Sequence, residues 1–165
     1  MSPQKIAVIG ISGSGKSFFA RKLAEKTQLP IFHMDTLFWK GKWNAVPEVE
    51  YVEKQNEILA QNEKWIIEGY VDRALADRLK GADLIIYLDY SGFLCVWRVL
   101  RRWLKHRRQS RSELPKEAVE RLSGKFLWTV LTRAEKPGIE EALAKADSSK
   151  VIRFSSSRLA HKFRI

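Results

Sequence analysis

An octapeptide near the N-terminus constrains the fold of this chain most strongly: Gly10-Ile11-Ser12-Gly13-Ser14-Gly15-Lys16-Ser17. It follows a continuous β-branched run, KIAVIGI over residues 5–11, and precedes FFARKLAEKTQ, whose apolar residues have helical spacing. Glycines allow backbone N–H groups to turn inward around an anion, and the next helix directs its positive end at the same point. The strand–loop–helix context therefore predicts a phosphate-binding loop of the GxxxxGK[ST] type.

The polar positions of this loop have expected contacts. Lys16 is placed to reach the outer phosphates of a nucleoside triphosphate, and the Ser17 hydroxyl to ligate Mg²⁺. Contacts to phosphate oxygens are also expected from the rest of the loop, namely Gly10, Ser12, Gly13, Ser14 and Gly15. ATP and Mg²⁺ are thus the expected cofactors. The alternative is a glycine-rich turn without a ligand, but Lys16 and Ser17 both stand where the motif requires them.

Strand-like and helix-like segments alternate along the rest of the chain. Strand patterns recur at residues 29–35, 64–70, 83–90 and 150–156, with helical spacing between them. This alternation is typical of an α/β domain with a mainly parallel sheet. The 165 residues contain no repeat and no low-complexity linker, so we expect a single domain spanning residues 1–165.

Composition argues against several classes of protein. Hydrophobic residues make up 45% and charged residues 30% of the chain, which is ordinary for a globular domain. Asp83, Asp89 and Arg98 interrupt the longest apolar stretch, so no membrane association is expected. The single Cys95 has no second cysteine for a disulfide or a zinc site. The N-terminus lacks the pattern of a secretory leader, and a cytoplasmic location is expected.

The positive charge lies in the C-terminal half. Residues 1–90 have no net charge, whereas residues 91–165 carry the whole excess of +11. The run RVLRRWLKHRRQSR, residues 98–111, has no acidic residue. Such a field attracts nucleic acid, an anionic membrane or nucleotide phosphates, and a solvated basic helix without a partner is a further interpretation. The apolar residues of this helix are expected to face the core: Phe93, Val96, Trp97, Leu100 and Leu104.

Acidic residues end three of the predicted strands: Asp35, Glu68 and Asp89. Ligands of open α/β sheets bind outside the carboxyl ends of the strands. We therefore expect Glu68 to orient Mg²⁺ or its waters, and Asp35 to contact a phosphoryl acceptor, as the base for its hydroxyl proton. A helix cap or a surface carboxylate is the alternative for each. Asp89 is expected to be structural, and His33 a packed strand residue.

Four motifs together resemble a known family. The motifs that carry the resemblance are GISGSGKS, HMDTLFW, WIIEGY, and LIIYLDY leading into RVLRRW. Through them the chain resembles the adenylate-kinase-like branch of P-loop kinases, and within it the small bacterial group labelled DNA topology modulation proteins. The resemblance extends from Ile6 to about Phe163. It implies a three-layer P-loop NTPase fold, with a five-stranded parallel sheet in the order 2-3-1-4-5 and a helical lid.

The resemblance also implies roles for individual residues and regions. Arg98 and Arg102 match an R-x-x-x-R pattern whose arginines bind nucleotide phosphates and stabilise the transferred group. An acceptor-binding region is implied at about residues 36–62, and a lid at about residues 104–134, with Arg133 as a later lid arginine. The implied partners are a nucleoside triphosphate and a small-molecule acceptor, for a monomer or a homodimer. The implied acceptor-binding region includes Trp39, Lys40, Lys42 and Trp43.

Two departures from the family pattern concern the acceptor. Relatives have Asp-Gly after the third strand, whereas this chain has Glu68-Gly69, with an acid one methylene longer. Nucleoside monophosphate kinases continue with Pro-Arg, which grips the acceptor's phosphate, whereas Arg73 here comes one place later and without the proline. The acceptor therefore stays open, with nucleosides and nucleotides among the candidates.

Two functions follow from the sequence. The favoured one is an ATP- and Mg²⁺-dependent kinase acting on a small molecule. The other is a nucleotide-sensing nucleic-acid-binding protein that uses the loop as a switch. One helix face holds more cations than catalysis needs: Arg98, Arg101, Arg102, Lys105 and Arg108. No recognised nucleic-acid module accompanies them, so nucleic acid is the less favoured partner.

Overall fold

A computed structural model describes residues 2–40, 44–69, 74–106 and 122–163. Five parallel strands form one sheet: β1 (Lys5–Ile9), β2 (Ile31–His33), β5 (Trp65–Glu68), β6 (Leu84–Leu88) and β7 (Val151–Phe154). Their order is β2-β5-β1-β6-β7, which is 2-3-1-4-5 when these five are counted alone. The predicted α/β class and sheet order are confirmed.

Helices connect the parallel strands and cover the sheet, as crossover connections require. They are α1 (Lys16–Thr27), α2 (Met34–Phe38), α3 (Glu48–Gln61), α4 (Leu75–Lys80), α5 (Gly92–His106), α6 (Gly124–Leu131), α7 (Lys136–Ala144) and α8 (Ser157–Lys162). A short antiparallel pair, β3 (Trp39–Lys40) and β4 (Asn44–Ala45), precedes α3. None of the helices within the described segments has the length and apolarity needed to cross a bilayer.

The central strands are buried along their whole apolar length. In β1, the four consecutive residues Ile6–Ile9 are fully buried, and so are Trp65, Ile66 and Ile67 in β5. Consecutive burial is expected when both faces of a parallel sheet are covered, and it explains why these strands read as continuous apolar runs. The carboxyl ends of β1, β5 and β6 are therefore held rigidly next to one another, and Gly10, Glu68 and Asp89 lie at that edge.

Asp35 does not end a strand, contrary to the prediction. β2 stops at His33, and Asp35 lies in the first turn of α2. The reason is that β2 pairs only with β5, whose last paired residue is Glu68, opposite His33. Gly69 follows with φ 127°, so the ladder cannot continue. The chain instead enters α2, and the negative carboxylate of Asp35 is favourable near the positive N-terminal end of that helix.

The predicted core stripe of α5 is wrong for most of its members. Phe93, Trp97 and Leu104 are 78%, 54% and 62% exposed, while Cys95 and Val99 are buried. The helix is turned so that Cys95 and Val99 face the glycine loop. A Cβ on Gly13 would lie 2.5 Å from the Cys95 carbonyl oxygen and 2.9 Å from a Val99 methyl group. Because the loop and α5 approach so closely at Gly13, the face with Cys95 and Val99 packs against the loop, although the face with Phe93, Trp97 and Leu104 is more apolar.

Candidate active site

The loop between β1 and α1 has the geometry of an anion site. Gly13 and Gly15 adopt φ of 79° and 91°, values that glycine tolerates best. No described side chain caps the N-terminus of α1 at Gly15. The backbone N–H groups of the first helical turn therefore remain available to an anion, and the helix dipole adds to the attraction. Gly10 leads into this loop directly from β1, and Ser17 lies in the first turn of α1.

Two cations that the sequence analysis selected lie on this loop. Lys16 Nζ donates to the Ile11 carbonyl oxygen at 3.1 Å, so its side chain folds back across the loop. Arg98, from α5, donates through Nη1 to the Ser14 carbonyl oxygen at 2.7 Å. The Arg98 guanidinium also lies 5.0 Å from the centroid of the Tyr90 ring. Arg102 is one helical turn further along α5, with a half-buried side chain.

A cavity of about 590 Å³ opens from the loop between α1 and α8. This volume lies within the range that small-molecule and cofactor sites occupy. Its lining includes Ser14, Gly15, Phe18, Lys22, Arg98 and His161. Sequence analysis did not select Phe18, Lys22 or His161. The only available signal was that Phe18 and Lys22 are four residues apart, on one face of α1.

Glu68 ends β5 as predicted and is almost completely buried. Its Oε1 lies 2.6 Å from His33 Nδ1, and the two side chains are 1% and 20% exposed respectively. Burial raises the pKa of Glu68. The hydrogen bond from His33, the charge of Lys16 and the neighbouring Ser17 hydroxyl together outweigh burial, so the pKa of Glu68 lies below its ordinary value. Glu68 is therefore a carboxylate at neutral pH, next to Lys16 and Ser17.

The Ser17 and Glu68 side chains fit a magnesium ion. Glu68 Oε2 is buried and has no hydrogen-bond partner among the described residues, so one carboxylate oxygen is free for a cation or its water. Mg²⁺ prefers oxygen ligands and is usually held by one or two protein groups together with phosphates and water. The described residues contain no group of three or more His, Cys, Asp or Glu side chains that could hold a metal ion.

Asp35, in the first turn of α2, lies close to the chain just after Glu68. A Cβ on Gly69 would be 3.7 Å from Asp35 Oδ1, so this carboxylate faces the backbone just after β5. Burial raises the pKa of Tyr51 of α3, and the negative charge of Asp35 adds to that effect. Burial lowers the pKa of Arg78 of α4, and there the charge of Asp35 opposes it. Asp35 therefore belongs to a polar region formed by α2, α3, α4 and the end of β5.

This polar region contains buried groups that sequence analysis missed. Arg78 is fully buried, and none of its guanidinium nitrogens has a hydrogen-bond partner among the described residues; the same holds for Tyr51 Oη and Gln55 Oε1. Burial lowers the pKa of Arg78, against the opposing charges of Tyr51, Glu68 and Asp35. Burial has the opposite effect on the Tyr51 hydroxyl and raises its pKa to about 12, because in both residues it disfavours the charged form. Unpaired buried polar atoms are costly and unusual away from functional sites.

Asp89 is the centre of an ion cluster. It accepts hydrogen bonds from Arg133, from Lys136 Nζ at 3.1 Å and from Arg153 Nη1 at 3.5 Å. These contacts attach the turn between α6 and α7, and strand β7, to the end of β6. These contacts support the expected structural role of Asp89. Arg133, the predicted lid arginine, forms an ion pair with Asp89.

The turn between α6 and α7 also contacts the loop. Glu135 accepts hydrogen bonds from the Ser12 backbone N–H at 2.7 Å and from the Ser12 hydroxyl at 2.8 Å. The sequence gives no signal for this contact, because 123 residues separate the partners.

Several predicted features lie outside the described residues. They are Lys42, Trp43, Arg73, Arg108, the side chain of Lys40, and about half of the lid region, residues 107–121. The structure describes the two ends of that lid region, in α5 and α6.

Comparisons with known proteins establish the fold. No protein-family model matches the chain, and no curated protein matches it in sequence. Among solved structures, the deoxyadenosine kinase of M. mycoides with bound dATP has a TM-score of 0.57 at 16% identity, over 92% of this chain and 90% of the other. The shikimate kinase of Acinetobacter baumannii with shikimate has a TM-score of 0.57 at 18% identity, over 96% and 89%.

A third structure gives the same result. The gluconokinase of Sinorhizobium meliloti has a TM-score of 0.55 at 14% identity, over 97% of this chain and 86% of the other. The three proteins share little sequence with this chain, so their similarity concerns the fold. It shows that this chain shares the α/β fold of these three proteins, with the glycine loop at the end of β1.

Proposed function

We propose that this protein is a kinase that transfers the γ-phosphoryl group of ATP to a small-molecule acceptor. One observation carries the proposal: the buried carboxylate of Glu68 is held beside Lys16 and Ser17 of the phosphate loop, with one oxygen unpaired. A loop that only bound an anion would gain nothing from a buried negative charge at this position. A loop that binds a nucleotide with Mg²⁺ needs such a carboxylate.

The donor nucleotide has a complete set of contacts in this proposal. Its phosphates accept hydrogen bonds from the loop and the first turn of α1, and Lys16 exchanges the Ile11 carbonyl oxygen for an outer phosphate. The cavity between α1 and α8 receives the base and ribose. Arg98 already lies where loop and cavity meet, so its planar guanidinium is placed to bind phosphate oxygens in two places.

The chemical step needs charge stabilisation and a proton acceptor. Ser17 and Glu68 would hold Mg²⁺, which neutralises charge on the outer phosphates. Arg98 and Arg102 on α5 stabilise the negative charge that spreads over the transferred group. Asp35 accepts the proton of the attacking hydroxyl, which must approach from the region of α2 and α3 next to Gly69.

The identity of the acceptor is left to experiment. The similar structures are a deoxyadenosine kinase, a shikimate kinase and a gluconokinase, and the names of all three point to small hydroxylated acceptors. Membership of the DNA topology modulation group, a cytoplasmic location, a lid at residues 104–134 and a monomeric or homodimeric state remain predictions.

A coupled ADP-release assay tests the proposal. ATP and Mg²⁺ are offered with nucleosides, nucleoside monophosphates, sugar acids and small hydroxy acids in turn. We expect one class to stimulate turnover, and Lys16→Ala to lower that turnover by about 100-fold or more. Lys145→Ala, a change at an exposed lysine of the turn after α7, is the control and should leave turnover unchanged. Nucleotide binding without stimulation by any acceptor class would argue against a kinase.

A second function has one observation in its favour. The exposed ring of Trp97 lies 5.5 Å from the Arg101 guanidinium, and Lys105 on the same helix is also exposed. Aromatic rings beside cations are the elements that bind single-stranded nucleic acid. If the loop is a nucleotide-controlled switch, binding of an oligonucleotide must weaken steeply as salt rises, and Trp97→Ala must reduce it. Absence of oligonucleotide binding at low salt would remove this alternative.

A further inference from the structure

His33 lies directly opposite Glu68 in the pairing of β2 with β5. Neighbouring parallel strands place such partners side by side at the sheet edge, and here the two side chains meet, with His33 Nδ1 2.6 Å from Glu68 Oε1. As predicted, His33 is a packed strand residue, with a side chain that is 20% exposed. Its ring also contacts the buried carboxylate of Glu68, next to the phosphate loop.

The direction of this hydrogen bond is fixed by chemistry. An ionised carboxylate can only accept, so His33 Nδ1 must be protonated and donate to Glu68 Oε1. The bond therefore occupies one oxygen of Glu68 and leaves the other, Oε2, as the atom without a hydrogen-bond partner among the described residues. His33 thus determines which oxygen of the carboxylate is free.

A glutamate needs such a restraint more than an aspartate would. Its carboxylate is carried on one more rotatable bond, and ordering that bond costs free energy unless a neighbour fixes it. Ser17 and Lys16 also act on this carboxylate, from the loop side. His33 acts from the β2 side, so the carboxylate is held between the two.

We propose that His33 is a positioning residue that orients Glu68 so that its free oxygen faces the magnesium ion of a bound nucleotide. This inference rests on the proposed function, because it presupposes a nucleotide–Mg²⁺ complex at the loop. Partners behind a metal-binding side chain typically change metal affinity by about 10- to 100-fold when they are removed.

The test measures binding rather than turnover. The affinity for a non-hydrolysable ATP analogue is determined by calorimetry with Mg²⁺ and again with a chelator, and the ratio of the two affinities reports the contribution of the metal. We expect His33→Ala to lower this ratio by about tenfold or more, with little change in the affinity without metal. His33→Asn should restore most of the ratio, because its amide N–H can take the place of Nδ1–H.

Two controls separate positioning from general damage. Thermal unfolding identifies any variant that has lost its fold, and His33→Asn is the smallest change available. In a Glu68→Gln background, His33→Ala should have no further effect on the ratio, because the two residues act as one unit. An unchanged ratio in His33→Ala, or an equal effect in both backgrounds, would overturn the inference.

The same data distinguish this inference from the proposed function. If the wild type binds the analogue with a metal-dependent affinity, and Lys16→Ala weakens binding while His33→Ala leaves the ratio unchanged, only the inference fails. If the wild type binds no analogue, or gains nothing from Mg²⁺, both fail.

Discussion

Glu135 accepts two hydrogen bonds from Ser12, so a carboxylate lies against the loop that we propose binds phosphate. Its position is well anchored, because Arg133 in the same turn and Lys136 at the start of α7 both bind Asp89. The side chain of Glu135 is partly exposed and can be displaced. A nucleotide that enters the loop therefore brings negative phosphate close to a negative side chain.

Removing this charge should favour nucleotide binding. We predict that Glu135→Gln raises the affinity for ATP by about two- to fivefold, because a partly exposed charge contributes about 1 kcal/mol or less. Calorimetric titration at low salt measures the change, and the effect should shrink as salt is added. Glu141→Gln, which alters an exposed residue paired with Lys145, is the control. A weaker affinity for ATP in Glu135→Gln would mean that Glu135 supports the loop instead of competing with the nucleotide.

Gly13 should not tolerate a side chain. Alanine at this position would place its Cβ 2.5 Å from the Cys95 carbonyl oxygen at a φ of 79°, so the loop or α5 must shift. We predict a loss of about 2 kcal/mol or more in the free energy of unfolding, together with weaker nucleotide binding. Urea unfolding compares this variant with Gly124→Ala, where no described atom beyond the chain neighbours and the backbone of its own helix lies within 4 Å of the new Cβ. Equal stability of the two variants would contradict the packing of α5 on the loop.

Arg98 and Arg101 provide a matched pair on one helix. Arg98 bonds to Ser14 of the loop, whereas Arg101 is exposed and lies over Trp97. We predict that Arg98→Ala lowers kcat/KM by about 100- to 1,000-fold, as expected for an arginine that stabilises phosphoryl transfer. Arg101→Ala should change kcat/KM by less than about threefold. Steady-state kinetics measures kcat/KM for both variants, with the acceptor that the ADP-release assay identifies. Similar losses in both variants would mean that the effect comes from the general positive charge of α5.

The orientation of α5 predicts a contrast in stability between two leucines. Leu79 in α4 is 1% exposed and Leu104 in α5 is 62% exposed. We predict that Leu79→Ala lowers the free energy of unfolding by about 2 to 5 kcal/mol, and that Leu104→Ala changes it by about 0.5 kcal/mol or less. Chemical denaturation measures both. A large loss for Leu104→Ala would show that the stripe of Phe93, Trp97 and Leu104 is covered after all.

Features with a local signal could be predicted from the sequence. The loop over residues 10–17 has a fixed spacing, and the buried strands read as apolar runs because both faces of the sheet are covered. The fold and the positions of Lys16, Ser17 and Glu68 follow from these signals. Arg98 could be selected only through its resemblance to a family pattern, because spacing alone does not say which cation of a basic helix meets the loop.

Features that depend on tertiary contacts could not be predicted. Glu135 meets Ser12 across 123 residues, and the pairing of His33 with Glu68 depends on the register of β2 against β5. The orientation of α5 follows from the close approach of Cys95 to Gly13, which hydrophobic periodicity does not report. Arg78 and Tyr51 have the sequence pattern of ordinary surface residues on amphipathic helices, and only the fold shows that they are buried.

The most direct test of the proposed function follows the γ-phosphoryl group itself. ATP labelled at its γ-phosphorus is incubated with Mg²⁺, the protein and the acceptor class that stimulates ADP release, and the label is located after separation of the products. A kinase must transfer the label from ATP to the acceptor, in an amount equal to the ADP formed, and Asp35→Asn should greatly slow that transfer while nucleotide binding persists. Label that appears only as inorganic phosphate, or stays on ATP with every acceptor, would contradict the account.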